Sequence, residues 1–294
     1  MVANGSREKI CTVNANRDFK EKNPTKAVCF KSMMNSLKTE VCVLGSGSQG
    51  NAVYIRNGRT RLLIDAGLTP AQIQQRLQGL GVSLQEINAV VISHEHGDHI
   101  QAAKKLCKTF GIPIWLTEKT RRVCKSFDSL VNIQEFQAGE GFSIDEIHLD
   151  PIPLSHDAVD PVCFGIMTER VKIGVATDFG KVEKPIIRGL SFCDLLILEF
   201  NHDVQLVHHG PYLPHLKDRI LSERGHLSNE DSSDLLFELL NPNLKGVILA
   251  HLSHTNNYPE LAYLSAKKVT SFPPYENLPL YLAHQEFAGP KLVF

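Results

Sequence analysis

One short stretch constrains this chain more than any other: Ser93-His94-Glu95-His96-Gly97-Asp98-His99. It follows the apolar run Ala89-Val90-Val91-Ile92, which reads as a buried strand ending at Ser93, and it precedes a helical pattern over about His99–Phe110. In extended backbone His94 and His96 project to one side. Asp98 and His99 come at the turn into the helix and approach from another direction, with Gly97 giving the turn its freedom. Three imidazoles and a carboxylate at this spacing are natural ligands for a borderline divalent metal. A solvated polar loop, the ordinary explanation of a lone histidine, does not account for four ligand-type residues in one turn.

The rest of the composition narrows the setting. A length of 294 residues allows one large domain or two. The net charge of -1 argues against nucleic-acid binding through bulk positive charge and leaves room only for a local basic groove. No uncharged apolar run reaches the ~18 residues of a membrane span, so no membrane partner is expected. The N-terminus lacks the apolar core of a secretory signal, which favours a cytoplasmic location. Seven cysteines, odd in number and without C-x-x-C spacing, read as reduced, mostly buried thiols, and no cysteine-based zinc site is expected.

Residues 1–38 are rich in Lys, Asn and Ser without a clear period and read as a poorly ordered leader. An organellar transit peptide is the alternative, disfavoured by the acidic residues and by only two arginines, Arg7 and Arg17. Residues 39–294 form the expected catalytic domain. Short β-rich runs appear at Val41–Leu44, Ala52–Ile55 and Arg61–Ile64, then a helix at Pro70–Gly79. A strand is expected at Ile112–Leu116, a strand-rich segment from Ile133 to Val175, and further strands at Leu195–Glu199 and Gly246–Ala250. Ser228 and Asp231 have the form of a capping box opening a helix through Leu240, and a last helix covers Tyr258–Val269. Strands and helices interleave at both ends of the chain. This points to an α+β protein with two sheets face to face and helices outside, a four-layer αββα sandwich.

The H-x-H-x-D-H spacing resembles the signature of the metallo-β-lactamase superfamily, whose αββα fold carries two metals at one end of its sheets. Matching segments occur in the same order: Leu63-Ile64-Asp65-Ala66-Gly67, Leu154-Ser155-His156-Asp157, Ala176-Thr177-Asp178-Phe179-Gly180 and Leu249-Ala250-His251-Leu252-Ser253. The resemblance implies two divalent metal ions per chain, Zn²⁺ or Mn²⁺, with Fe²⁺ also suited. One would take His94, His96 and His156. The other would take Asp98, His99 and His251, with Asp178 bridging and Asp65 orienting ligands from behind. The metals would lower the pKa of a shared water, giving a bridging hydroxide as nucleophile, and neutralise charge on the group attacked.

Further segments resemble the YycJ (WalJ) family of that superfamily: Ser46-Gly47-Ser48-Gln49-Gly50-Asn51, Leu198-Glu199-Phe200-Asn201-His202-Asp203, Gly210-Pro211-Tyr212, Leu216-Lys217-Asp218-Arg219-Ile220, Gly225-His226-Leu227-Ser228-Asn229 and His251-Leu252-Ser253-His254-Thr255-Asn256-Asn257. The likeness runs from about Val41 to Glu286. It implies a 5′→3′ exonuclease with nucleic acid as substrate, DNA ahead of RNA, and a role in DNA repair. The Glu199 and His226 segments are also similar to ribonuclease Z, which implies that His226, oriented by Glu199, protonates the leaving sugar oxygen. Asp98, Glu199 and His226 are thus the expected catalytic residues. Ser46, Ser48, Asn51, Asn201, His202 and Lys217 are expected substrate contacts. Three departures stand out. Residues 1–38 have no counterpart, Leu213 stands where a second proline is expected, and the 73 residues from Asp178 to His251 leave no room for a large inserted nucleic-acid clamp. The competing class is a thioester or lactone hydrolase of the glyoxalase II type, which shares the ligand set but has no use for a Glu199–His226 pair, because a thiolate leaves without a proton. The third is a catalytically silent repair scaffold, hard to reconcile with seven filled ligand positions.

Overall fold

The computed structural model describes residues 38–294, so the leader expected over residues 1–38 lies, but for Lys38, outside the described residues. Strands β1 (Thr39–Gly45), β2 (Ala52–Asn57), β3 (Thr60–Ile64), β4 (Ala89–Val91), β5 (Ile114–Thr117) and β6 (Ile133–Phe136) form the first sheet in sequence order. Strands β7 (Phe142–Ile144), β8 (Ile147–Pro153), β9 (Val162–Met167), β10 (Lys172–Ala176), β11 (Leu195–Glu199), β12 (Gly246–Ala250) and β13 (Leu280–Leu282) form the second. The short β14 (Leu292–Val293) returns to pair with β1. Each sheet is antiparallel where its first strands meet and parallel from β3 to β6 and from β10 to β13.

Alternation along the strands explains the layering. Val41, Val43, Leu62 and Ile64 face Ile173, Val175, Ile197 and Ile248 in a core between the sheets. Cys42, Leu44 and Leu63 point the other way, onto the helices Pro70–Gly79 and Ala103–Phe110. Leu196, Leu198, Val247 and Leu249 do the same on the second sheet, against Lys184–Leu190, Asn229–Leu239 and Pro259–Val269. Strands buried on both faces read as unbroken apolar runs, which is why β11 and β12 were readable to the residue. The expected α+β, four-layer αββα sandwich is the observed one. No helix among the described residues is long and apolar enough to cross a membrane. Cys42, Cys107, Cys124, Cys163 and Cys193 are buried free thiols.

Two differences from the sequence reading have local causes. The helix expected over His99–Phe110 starts earlier and is broken into Gly97–Ile100 and Ala103–Phe110. The carbonyls of Asp98 and His99 accept from Asn51 N and Ala66 N at 2.8 Å, and Ala102 N donates to Ala66 O. The helical ladder is diverted to two loops. The strand expected to reach Ser93 stops at Val91, because Ser93 N donates to the Asp65 carboxylate rather than to a neighbouring strand. The helices Glu118–Val123, Lys184–Leu190, Val204–His209 and Pro214–Ile220 were not foreseen. At six or seven residues each they are too short for a 3.6-residue period to show.

Gly67 sits where these loops are laced together. A β-carbon there would lie 1.5 Å from Asp98 O, so no other residue fits without moving the backbone. Gly79, at the end of its helix, has open space around it. Gly67→Ala is therefore expected to destabilise by about 3 kcal/mol or more, at or beyond the upper end of ordinary overpacking. Gly79→Ala is expected to be neutral or to stabilise by up to about 1 kcal/mol. Thermal unfolding of the two variants checks both, and equal midpoints would contradict the lacing.

Candidate metal centre

The parallel halves of both sheets end at one edge of the sandwich, and the ligand-type residues leave from those ends. Asp65 follows β3, His94 follows β4 by three residues, Asp178 follows β10 by two, Glu199 closes β11 and His251 follows β12 directly. The carboxyl ends of parallel strands are where open sheets collect ligands. Asp65, Asp178 and His251 all have positive φ, at 61°, 65° and 55°. Left-handed backbone is uncommon outside glycine and concentrates at functional sites, where the surroundings over-determine it. Here it turns each side chain back over the sheet ends.

The side chains form two adjoining groups. His94, His96 and His156 make one, and Asp98, His99, Asp178 and His251 the other, with donor atoms within 4.8 Å inside each group. The rings of His94 and His99, 4.1 Å apart, join them. Asp178 Oδ2 is 3.2 Å from His99 Nε2, and its Oδ1 is 3.3 Å from His251 Nε2. Asp98 Oδ2 lies 3.6 Å from His99 Nε2 and 3.7 Å from His251 Nε2. Residues separated by up to 157 positions in the chain thus meet in one buried cluster.

The outer nitrogens of four rings are held by the protein. His99 Nδ1 is 2.8 Å from Asp65 Oδ2, and His156 Nδ1 is 3.1 Å from Gly225 O. His251 Nδ1 is 2.9 Å from Glu199 Oε1, and His94 Nδ1 is 3.0 Å from Ser93 Oγ. Carboxylates and carbonyls accept the Nδ1 proton, which leaves each Nε2 as a lone-pair donor turned inward. His94 Nε2 and His251 Nε2 are buried with no hydrogen-bond partner among the described residues. His96 is turned the other way, its Nδ1 3.2 Å from His156 Nε2. Two nitrogens bound to one tetrahedral ion at ~2.0–2.1 Å lie roughly 3.3 Å apart, so this spacing and the donor set fit divalent metal. Burial, helped by His99, His156 and His96, holds His94 well below the usual histidine range, in the neutral form a ligand needs. Burial works against a charged Asp178, but His251 and His99 hold its carboxyl well below the usual range.

Glu199 has a wider part than its sequence position implied. Fully buried, its Oε1 is 2.9 Å from both His226 Nδ1 and His251 Nδ1, while Oε2 accepts from Phe179 N and Leu227 N. Burial would raise its pKa, but the His226 charge and the hydrogen bonds from His226 and His251 hold it down at about 2. One carboxylate thus fixes a ring of the His/Asp cluster and the ring of His226.

The six expected substrate contacts divide. Ser46 Oγ accepts from His251 N and donates to Asn51 Oδ1, and Asn51 Nδ2 reaches His99 Nε2 at 3.1 Å. Asn201 Nδ2 donates to the His251 carbonyl. All three are buried and brace the cluster from behind. His202 is 1% exposed, its backbone bridged to Ser228, and burial pushes its pKa down to about 4. It does not face the solvent side where a substrate arrives. Lys217 donates to His208 O, whereas Arg219, two residues further on the same helix, reaches Asp157. Ser48 alone of the six is exposed at the mouth of the site. Sequence reasoning gave no part to Ser93, whose hydroxyl is within 3.3 Å of Asp65, His94 and His99. Its only sequence signal is its place directly before His94.

Three variants separate the roles of the groups around the donor rings. Glu199→Gln is expected to lower zinc affinity about 10- to 100-fold, the usual effect of losing a partner behind a metal-binding histidine. Asp65→Asn is expected to do the same through His99. His226→Ala is expected to keep the wild-type affinity. Chelator-competition titration measures all three, and wild-type affinity in both carboxylate variants would show that the two rings need no such support.

A family model described as a β-lactamase superfamily domain matches residues 60–242. Exodeoxyribonuclease WalJ of Streptococcus pneumoniae is 32% identical over 237 residues, which cover 79% of this chain and 88% of that protein. Exodeoxyribonuclease YycJ of Bacillus anthracis is 30% identical over 233 residues, 77% of this chain and 87% of that one. The solved metallo-β-lactamase-fold protein YhfI of Bacillus subtilis superposes with a TM-score of 0.66 over 87% of this chain and all of its own, at 18% identity, a likeness of fold. The chain belongs to the metallo-β-lactamase superfamily and, within it, to the WalJ/YycJ family.

Proposed function

We propose that this protein is a metal-dependent exodeoxyribonuclease that degrades DNA from its 5′ end, with residues 39–294 as the hydrolase unit. The observation that carries the reading is the Glu199–His226 pair, joined through one carboxylate oxygen to His251 of the His/Asp cluster. Support comes from the two relatives, both named exodeoxyribonucleases and matched over nearly nine-tenths of their length.

In this reading His94, His96 and His156 would hold one divalent ion and Asp98, His99, His251 and Asp178 would serve a second. When bound, such ions supply an ionised water near neutral pH and neutralise charge on the attacked phosphate. Asp65, Ser93 and Glu199 keep the donor rings in place. His226 is 15% exposed on its side chain and lines the cavity beside the cluster, so its Nε2 can meet a departing oxygen. Before the step the buried Glu199 carboxylate balances the positive charge of protonated His226; as the phosphorus–oxygen bond breaks, the sugar oxygen takes that proton, and the ring stays neutral until water restores it. Five histidines and two aspartates suit Zn²⁺, Mn²⁺ or Fe²⁺. A cytoplasmic location and a part in DNA repair complete the proposal.

A thioester or lactone hydrolase is not favoured, because a thiolate leaves unprotonated and gives the His226–Glu199 pair no work. A silent scaffold sits poorly with a full set of donors. The test uses DNA and RNA labelled at either end, incubated with each metal in turn. Metal-dependent release of nucleotides from the 5′ end of DNA is expected, with His96→Ala and Asp178→Ala slower by ~10³-fold or more. His226→Ala is expected to lose ~10²–10⁴-fold on DNA and much less on bis(p-nitrophenyl) phosphate, whose leaving group needs no proton. Metal-loaded protein inert on every nucleic acid would overturn the reading, and equal losses on both substrates would remove His226 from the acid role.

A further inference from the structure

A cavity of about 300 Å³ opens beside the cluster, with His226 and His251 on one wall and Tyr212, Leu216, Arg219 and Ile220 on the other. Its volume is at the small-ligand end of binding sites. Arg219 is the only permanently charged side chain among the described residues that line it, and none of them is a carboxylate. The cavity therefore presents a single positive charge between apolar side chains and the proposed leaving-group acid.

Arg219 is held in a particular way. Its Nε donates to Asp157 Oδ2 at 2.6 Å, and its two terminal amino groups have no hydrogen-bond partner among the described residues. Its side chain is 49% exposed. Asp157 directly follows His156, and its other oxygen lies 3.3 Å from His156 Nε2. The backbone adds a second tether. A β-carbon on Gly225 would lie 2.2 Å from the carbonyls of both Arg219 and Ile220, so the helix carrying Arg219 presses directly on the residue before His226. Gly225 O in turn faces His156 Nδ1 at 3.1 Å. The guanidinium is thus fixed relative to the cluster and to His226, with the free edge of its planar fork left for an anion. That geometry suits a phosphate carried on a substrate.

We propose that Arg219 binds the 5′-terminal phosphate of the nucleotide being released, so that the protein prefers DNA ends carrying a 5′-phosphate over ends carrying a 5′-hydroxyl. This rests on the reading above, in which His226 protonates the leaving 3′-oxygen. The nucleotide that owns that oxygen must lie on the His226 side, in this cavity, and its own 5′-phosphate is the anion it brings there. Tyr212, Leu216 and Ile220 supply the apolar wall for its sugar and base. Each cut leaves the next nucleotide with a 5′-phosphate, so every product end is again a preferred substrate.

The experiment compares a single-stranded oligonucleotide, 3′-labelled, with a 5′-phosphate or a 5′-hydroxyl, using the metal-loaded full chain. The wild type is expected to show kcat/KM about 10- to 100-fold higher on the phosphorylated end, the range of one charge-assisted contact. In Arg219→Gln that ratio is expected to fall to about one. Arg219→Lys, which keeps the charge without the fork, is expected to retain part of it. Metal content and unfolding midpoint, measured on each variant, separate loss of the contact from loss of the fold. A wild-type ratio of one, or an undiminished ratio in Arg219→Gln, would overturn the inference while leaving the nuclease assignment standing. Failure of the wild type to cleave either oligonucleotide, single-stranded or annealed into a duplex, together with inertness on the other nucleic acids tested above, would overturn the nuclease assignment itself.

Discussion

Buried charge is the constraint on which this molecule is organised. Asp65, Asp178 and Glu199 are withdrawn from water at one edge of the sandwich, with Asp98 only partly exposed beside them. Carboxylates in that position are sustained only by full hydrogen bonding and by compensating charge. The histidines supply the hydrogen bonds, and the outer nitrogens of His94, His99, His156 and His251 are each matched to a carboxylate, carbonyl or hydroxyl. The inner nitrogens of His94 and His251 are left buried without hydrogen-bond partners among the described residues, an arrangement divalent ions satisfy. The network is close to all-or-none. Glu199 alone receives two rings and two backbone amides, so its loss disturbs the cluster and His226 together.

The fold makes such a network possible. Parallel strands β3, β4, β10, β11 and β12 all end at the same edge, which brings segments remote in sequence to one place. The loops that leave them are then locked against each other. Backbone bonds from Asn51, Ala66 and Ala102 break the helix after Ile100, Gly67 admits the carbonyl of Asp98, and three left-handed residues aim their side chains inward. The local irregularities belong to the site rather than to the packing of the sheets.

Much of this was legible in advance because the cues are local or periodic. Apolar runs doubly buried in β11 and β12, the N-cap at Ser228 and the helix at Pro70–Gly79 each depend on a few neighbouring residues. The ligand-type residues were visible as residue types in an ordered pattern. What each polar neighbour does was not. Ser46, Asn51 and Asn201 read as substrate contacts, yet they face inward and hold His251 and His99. Lys217 and Arg219, two positions apart on one helix, were equivalent as charges, and only Arg219 reaches the site. A difference of two residues on a helix is about 200°, so the direction of a side chain depends on where the helix starts and what it packs against.

Strand periodicity and the histidine spacing around His94 are properties of adjacent residues, so the order of amino acids was enough to settle the class of fold and the stock of metal-binding side chains. Folding in three dimensions was needed before Glu199 could serve two histidines, Ser93 and Gly225 orient others, and Arg219 stand over the cavity while Lys217 does not. Hydrogen bonds of 3 Å between residues dozens of positions apart leave no trace in spacing. They come into being only when the sheet ends meet and water is excluded from between them.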